Sequence, residues 1–271
     1  MSMAEEKLQI LLTNDDGIES PGLWAAAEAL SAVGYVWVTA PRDQASSTGR
    51  SMPRSSDGLI IPRQMVVHGK EWTVYAVGGT PAQTVQHAIL EIIGRTPDLV
   101  VSGINYGVNI GTAVTVSGTV GAALEGAAFG APALAVSLET AQEDHFSYSK
   151  DVDFSTAAHF TALFARKLVE NRFDPRVQIL KIEVPANATT DTPWELARLS
   201  LDRFYYPVRP ERDSWDVPTS IGYRLEEDLS GFKPGTDTHT ALVAHKVAVT
   251  PLSLDMTANV SFEELEKKLR R

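Results

Sequence analysis

The 271-residue chain contains no cysteine. Disulfide frameworks, zinc–thiolate sites, iron–sulfur clusters and cysteine nucleophiles are therefore excluded together, and any chemistry must rest on oxygen ligands or hydroxyls. Positive charge is scarce as well: 24 Lys and Arg stand against 34 Asp and Glu, a formal charge of −10. That balance argues against a nucleic-acid duplex or an anionic membrane as partner. The Trp and Tyr residues also lack the interleaving with Lys or Arg that a base-stacking surface would need. An acidic chain that handles anions needs a local device, such as a metal ion or a helix N-terminus. Long apolar runs are missing too. The stretch from Ala122 to Val136 is broken by Glu125, several glycines and Pro132, so nothing reads as a bilayer span. Met1 to Lys7 carries Glu5 and Glu6 without an apolar run, and reads as neither signal nor transit peptide. The expectation is a cytoplasmic protein, which the absence of cysteine fits.

What is present is enough chain, at 44% hydrophobic residues, to bury a proper core. Leu8 to Thr13 reads as a buried strand, and Ser20-Pro21 as an N-cap with proline at the first helical position. Leu23, Ala26, Ala27 and Leu30 share one helical face, Gly34 closes that helix, and Tyr35 to Ala40 is the next strand. Short strand candidates follow at Leu59–Ile61 and Trp72–Val77, as a hairpin or an excursion. Thr80-Pro81 opens a second helix that Gly94 closes. Asp98 to Ser102 is a third buried strand, with a glycine-rich loop from Gly103 to Gly111 behind it. A small-residue helix from Thr119 to Phe129 leads to a strand at Pro132–Leu138, then a long helix at Asp153–Glu170 and a strand at Val177–Val184. This alternation predicts an α/β fold, a doubly wound, Rossmann-like, mostly parallel sheet. Beyond Pro185 the segments turn irregular and β-rich, with Thr240–Thr250 read as an excursion from the main sheet. Ser261 and Glu264 then form a capping box before a short charged helix. The organisation is a core over residues 1–185 and a β-rich extension with a terminal helix over 186–271, either in the same domain or as an oligomerisation appendage.

In such sheets ligands sit beyond the carboxyl ends of the strands. Four loops there are suited to a metal or a phosphate. Asn14-Asp15-Asp16-Gly17 offers two carboxylates on a rigid support, suited to a hard divalent cation, although alone it is equally an ordinary Asx turn. Ala40 to Ser51 is rich in hydroxyls and holds Arg42 and Arg50; alone it is a solvated loop. Ser102 to Asn109 supplies Asn105 as a neutral oxygen ligand and glycines whose amides could line an anion. Thr115 to Thr119 opens a helix, a phosphate seat that needs no Lys or Arg, or a plain N-cap by Ser117 or Thr119. Walker A, G-x-G-x-x-G, H-E-x-x-H and G-x-S-x-G motifs are absent. The six histidines are scattered and read as surface or structural.

The blocks Asn14-Asp15-Asp16-Gly17 with Pro21-Gly22, Ala40-Pro41 before a Ser-rich loop, Gly79-Thr80-Pro81, Ser102-Gly103-Ile104-Asn105-x-Gly107-x-Asn109 and Ser117-Gly118-Thr119-Val120 with Glu125-Gly126, in that order, closely resemble the SurE family of survival proteins. The resemblance is dense from Leu8 to Leu138 and returns at Gly235-Thr236-Asp237, Val249 to Leu252 and Asp255-Met256-Thr257. It implies a metal-dependent 5′/3′-nucleotidase acting on nucleoside monophosphates, with residues 1–185 as its core. It also implies one divalent cation per subunit, magnesium or manganese, on Asp15, Asp16, Ser46 and Asn105. By the same resemblance Asp15, Asp16 and Asn105 carry the catalysis. Phosphate is expected at Asn14, Gly103, Ser117, Gly118 and Thr119. The chain departs from the family pattern at Ser47, where glycine is usual, at Arg50 and at Gln83. Residues from Asn187 to Phe232 match it least. The family's exchange of C-terminal segments implies a homodimer or homotetramer. The rival is a magnesium-binding receiver-like module, or a nucleotide-binding module without turnover. A receiver would need a phosphoacceptor Asp where Ser102 and Gly103 stand.

Overall fold

The computed structural model describes residues 7–67, 69–171 and 173–270. Met1 to Glu6, which hold most of the segment read as carrying no leader, lie outside the described residues. In chain order the elements are β1 (Gln9–Thr13), α1 (Pro21–Leu30), β2 (Tyr35–Pro41), β3 (Ile60–Val67), β4 (Lys70–Val77), α2 (Pro81–His87), β5 (Leu99–Tyr106), α3 (Gly118–Ala128), β6 (Ala133–Leu138), α4 (Ser155–Glu170), β7 (Ile179–Val184), β8 (Trp194–Leu196), β9 (Tyr205–Val208), β10 (Gly222–Leu225), β11 (Val247–Leu252) and α5 (Phe262–Leu269). A nine-stranded sheet runs in the order β3-β4-β2-β1-β5-β6-β7-β11-β8, and β9 pairs with β10 apart from it. From β4 through β7 every pairing is parallel. The α/β doubly wound reading therefore holds, with antiparallel pairings at β3–β4 and β7–β11.

Both faces of the sheet are covered. On one, Leu23, Ala26 and Leu30 of α1 pack with Phe160 and Phe164 of α4 over the side chains of β1, β5 and β7. On the other, Val85 of α2 and Val120, Ala122 and Ala123 of α3 pack over Leu11, Val100 and Ala133. A third cluster joins Val108 and Ile110 to Phe204, Phe232 and Leu242, beneath the β9–β10 hairpin.

Several boundaries differ from the sequence expectation. α1 ends at Leu30 rather than Gly34, and Ser20 holds the N-cap position without a side-chain cap bond. The two strand candidates after residue 59 are a full antiparallel hairpin, with Ile60 opposite Val77 and Val67 opposite Lys70. Pro62, Arg63 and Gln64 interrupt the apolar run of β3, and Val66 beyond them is exposed. Most consequential is β5, expected to stop at Ser102, which runs on to Tyr106. Gly103 takes φ +131°, and a Cβ there would fall 2.3 Å from the Val136 carbonyl oxygen. Glycine alone lets the strand pass β6 so closely, and the register slips between Ser102 and Asn105. Thr240–Thr250 is not an excursion: a π-helical turn at His239–Val243 leads into β11, which pairs with β7. Pairing with β7 on one side buries Val247 and Val249 in the same core as α4.

Candidate functional site

β1 lies between β2 and β5, so successive connections leave it on opposite sides of the sheet, and a crevice opens at the carboxyl ends of β1 and β5. Thr13 pairs with Ser102 in register, so the residues after Thr13 sit beside the extension of β5. Asn14 shapes that turn. Its Nδ2 donates to the Gly17 carbonyl at 3.0 Å and its Oδ1 accepts from the Gly17 amide at 3.1 Å. The Asp15 carbonyl accepts from Ala45 N–H at 2.8 Å, and Tyr148 Oη donates to the Asp16 carbonyl. The loop is thereby fixed from both flanks, with the two carboxylates held in place.

These carboxylates open onto a cavity of about 510 Å³. Asp15, Asp16, Ser46, Asn105 and Ser117 all line it, so the structure gathers the four expected metal ligands and the head of α3 at one site. Ser47 and Asn109 join them. Asn14 and Gly103 do not line the cavity: the first shapes the turn, the second the path of β5. Gly118 and Thr119 stand behind Asp15. A Cβ on Gly118 would fall 2.7 Å from Asp15 Cβ, and Thr119 Oγ1 donates to Asp15 Oδ1 at 2.6 Å. The positive end of α3 thus already supports a carboxylate. Ser117 caps the helix, accepting from Val120 N–H at 3.1 Å.

Both carboxylates are buried, Asp15 at 4% and Asp16 at 2% exposure. Burial pushes Asp15 up to about 6, against the Thr119 hydroxyl and the nearby amides, which favour its charge. Asp16 is raised well above the ordinary carboxylate range by burial and by the charge of Asp15, and only partly relieved by the Tyr106 amide and Gln44. Tyr106 N–H reaches Asp16 Oδ2 and Gln44 Nε2 reaches Oδ1, each at 3.3 Å. No Lys or Arg is paired with either acid among the described residues.

Two adjacent buried acids short of positive charge suit a divalent cation, and the remaining donors agree. Asn105 Nδ2 donates to the carbonyls of Tyr106 (3.0 Å) and Gly107 (2.7 Å), which turns its amide nitrogen away and leaves Oδ1 as the available acceptor. The set of carboxylates, an amide oxygen and a serine hydroxyl is hard and all-oxygen, as magnesium or manganese prefers. Among the described residues no three His, Cys, Asp or Glu side chains converge to offer a different kind of centre. Ser47 holds φ +60°, the conformation for which glycine is favoured, and places its neighbour Ser46 on the cavity wall.

The opposite wall is one that sequence reasoning did not find. His145, Phe146, Tyr205 and Tyr223 line it. His145, read with the other histidines as surface or structural, meets Tyr223 Oη through Nδ1 at 2.8 Å, and burial lowers its pKa. The Tyr223 ring stacks near His145 and edge-on to Tyr205. These residues come from the stretch after β6 and from the β9–β10 hairpin, far apart in sequence and without a shared motif. Asn109 was visible as part of a motif but carried no assigned role. Its Nδ2 donates to Ser137 Oγ at 3.0 Å and to Thr119 Oγ1 at 3.4 Å, so it extends the chain of contacts that ends on Asp15.

The survival protein SurE family model matches residues 10–205. Proteins named 5′-nucleotidase SurE from Thermococcus gammatolerans and Thermococcus kodakarensis are 40% and 39% identical, over 97% of this chain and 96% and 98% of their own lengths. The crystal structure of the SurE protein from Aquifex aeolicus superposes with a TM-score of 0.74 at 27% identity, covering 97% of this chain and 100% of that one. The ordered loops, the sheet they stand on and these matches agree: the chain belongs to the SurE family.

Proposed function

We propose that the chain is a metal-dependent phosphomonoesterase, a 5′-nucleotidase that splits nucleoside monophosphates into nucleoside and phosphate. The observation that carries this reading is the pair of buried acids, Asp15 and Asp16, that face a cavity with the free Oδ1 of Asn105 and no cationic side chain. The relatives named 5′-nucleotidase support it. Asp15, Asp16, Ser46 and Asn105 would hold one magnesium or manganese per subunit. When bound, that ion would draw charge from the phosphate oxygens and acidify a water. The rest of the work falls to the chain. Thr119 and the head of α3 favour the charge of Asp15 and aim it, and the same helix end favours a phosphate near Ser117 and Gly118. Asn109 Oδ1, whose amide nitrogen is occupied, can accept a hydrogen bond from an attacking water or a substrate hydroxyl. Tyr205, Tyr223 and Phe146 form an aromatic wall opposite, suited to a nucleoside rather than to bare phosphate.

We read the protein as cytoplasmic and as a homodimer or homotetramer. Phe262 and Leu269 of α5 are 65% and 77% exposed, and no residue of that helix is buried, which leaves an apolar stripe for a second copy. Residues 186–271 would then serve both the site, through Tyr205 and Tyr223, and assembly. No described helix is long and apolar enough to cross a membrane.

The test is phosphate release from a panel of nucleoside monophosphates with magnesium, with manganese or with chelator. Metal-dependent release with one nucleoside formed per phosphate is expected. Mononucleotide binding without release under every metal would leave a binding module and sink the enzyme.

A further inference from the structure

Lys181, Glu183 and Asp237 are each 0% exposed. Lys181 Nζ lies 3.0 Å from Glu183 Oε1 and 3.0 Å from Asp237 Oδ2. Two carboxylates share one ammonium, and the rest of the compensation comes from backbone. Glu183 Oε2 accepts from Asn109 N–H at 3.0 Å, and Asp237 Oδ2 accepts from Gly111 N–H at 3.0 Å. Asp237 Oδ1 accepts from the amides of Ser200 (2.8 Å) and Thr238 (2.9 Å). Removing such charges from water is costly, and an apolar filling of the same volume is commonly as stable or more so. A core position alone therefore does not account for the cluster.

What it touches does. Two of its four backbone partners, Asn109 and Gly111, belong to the segment between β5 and α3 that lines the cavity. Tyr205 Oη donates to the Val108 carbonyl at 2.6 Å and grips the same segment from the aromatic side. Fixing the Asn109 backbone also fixes its side chain, which bridges Ser137 and the Thr119 hydroxyl bound to Asp15.

We propose that Lys181, Glu183 and Asp237 form a buried positioning cluster that clamps the amides of Asn109 and Gly111, and thereby holds the Asn109 carboxamide at the phosphate end of the cavity. They are positioning residues: none of the three lines the cavity, and they act through Asn109. The catalytic consequence rests on the nucleotidase reading; the clamp itself does not.

Glu183→Gln and Asp237→Asn keep shape while weakening the charged grip, and testing both in parallel guards against one failing to fold. In the full-length, manganese-loaded protein each is expected to lower kcat for phosphate release about tenfold, on the scale of lost supporting contacts, with manganese affinity changed less than about threefold. Hydrogen exchange at the Asn109 and Gly111 amides should accelerate at least about tenfold in the metal-free proteins. A double-mutant cycle separates positioning from mere stability. On an Asn109→Ala background, Glu183→Gln should cost less than about twofold more, because its effect passes through the missing side chain. Penalties that multiply, or a folded Glu183→Gln with wild-type kcat and wild-type exchange, overturn the proposal. If the wild-type protein releases no phosphate at all, the enzymatic reading falls alone and the exchange rates decide the clamp.

Discussion

The molecule buries two pairs of acids and compensates them differently. Glu183 and Asp237 share Lys181 and the backbone amides of Asn109, Gly111, Ser200 and Thr238. Burial opposes the charge of Lys181, yet the two acids outweigh it and raise its pKa, so the lysine stays charged. Among the described residues Asp15 and Asp16 have hydroxyl, amide and carboxamide donors but no cationic side chain, and burial raises both pKa values; burial raises Glu183 as well, but there the Lys181 charge and the Asn109 amide oppose it. The difference separates structure from function by charge accounting alone. A pair supplied with its own cation can serve as a fixed part of the frame. A pair left short of one is shaped for something that arrives.

The sharpest way to break this comparison is to neutralise one acid or one base and read activity and stability together. Asp15→Asn keeps an acceptor for Thr119 but removes a charge. Phosphate release should fall on the order of 10³-fold or more, while the metal-free protein should melt several degrees higher, since a strained like-charge pair is gone. Lys181→Met should do the reverse to stability. It strands two buried carboxylates at a cost of about 3–5 kcal/mol, a loss of roughly 10 °C in a chain of this size. Calorimetry of the two chelated variants decides it: equal signs would mean that the two clusters are not different in kind.

The two clusters also differ in how well the sequence displayed them. Asp15, Asp16 and Asn105 were readable because each follows or ends a strand whose apolar run is unmistakable, and parallel topology brings strand ends to one edge. Even so, Asn105 was expected in a loop, whereas it lies next to last in a strand that passes β6 through Gly103. Glu183 and Lys181 sit inside β7, where an alternating charge looks like an exposed edge, and β11 then covers it. Asp237 lies far along the chain and finds Lys181 only through the turn that leads into β11. Tyr223 and His145 meet across 78 residues. Local periodicity encodes elements; it does not encode which distant polar atoms face each other once the elements pack.

Acidity offers a gentler probe of the same contrast. Asp15 has an ordinary value of 3.8 and rises to about 6 in the fold, so between those values the native chain holds more protons than the unfolded one. Stability of the metal-free protein should therefore fall as pH rises through that window, and Asp16, also raised, extends the fall upward. Below about pH 4 both states are protonated and the contribution is complete. Manganese held by this pair would replace the protons, so a metal-loaded protein should lose this decline or invert it. Melting curves with chelator and with manganese, from about pH 4 to about pH 7, provide the check. A flat profile in chelator would mean that the pair is not short of charge.

Neither cluster bonds to Tyr223 in the aromatic wall, so a change at that residue should leave both intact and alter only the handling of the nucleoside. The Tyr223 ring faces the cavity beside Tyr205, and its hydroxyl meets His145 Nδ1. Base stacking on an aromatic ring contributes about 1–3 kcal/mol. Tyr223→Ala should thus raise KM for a nucleoside monophosphate roughly tenfold, with kcat within about threefold. Glycerol phosphate, which has no base, should show no such rise. Tyr223→Phe keeps the ring and loses only the bond to His145, so its KM should move less than about threefold. Were kcat to fall as far as KM rises, or glycerol phosphate to suffer equally, the wall would be part of the phosphate site. The division between a charged floor and a nucleoside-binding wall would then fail.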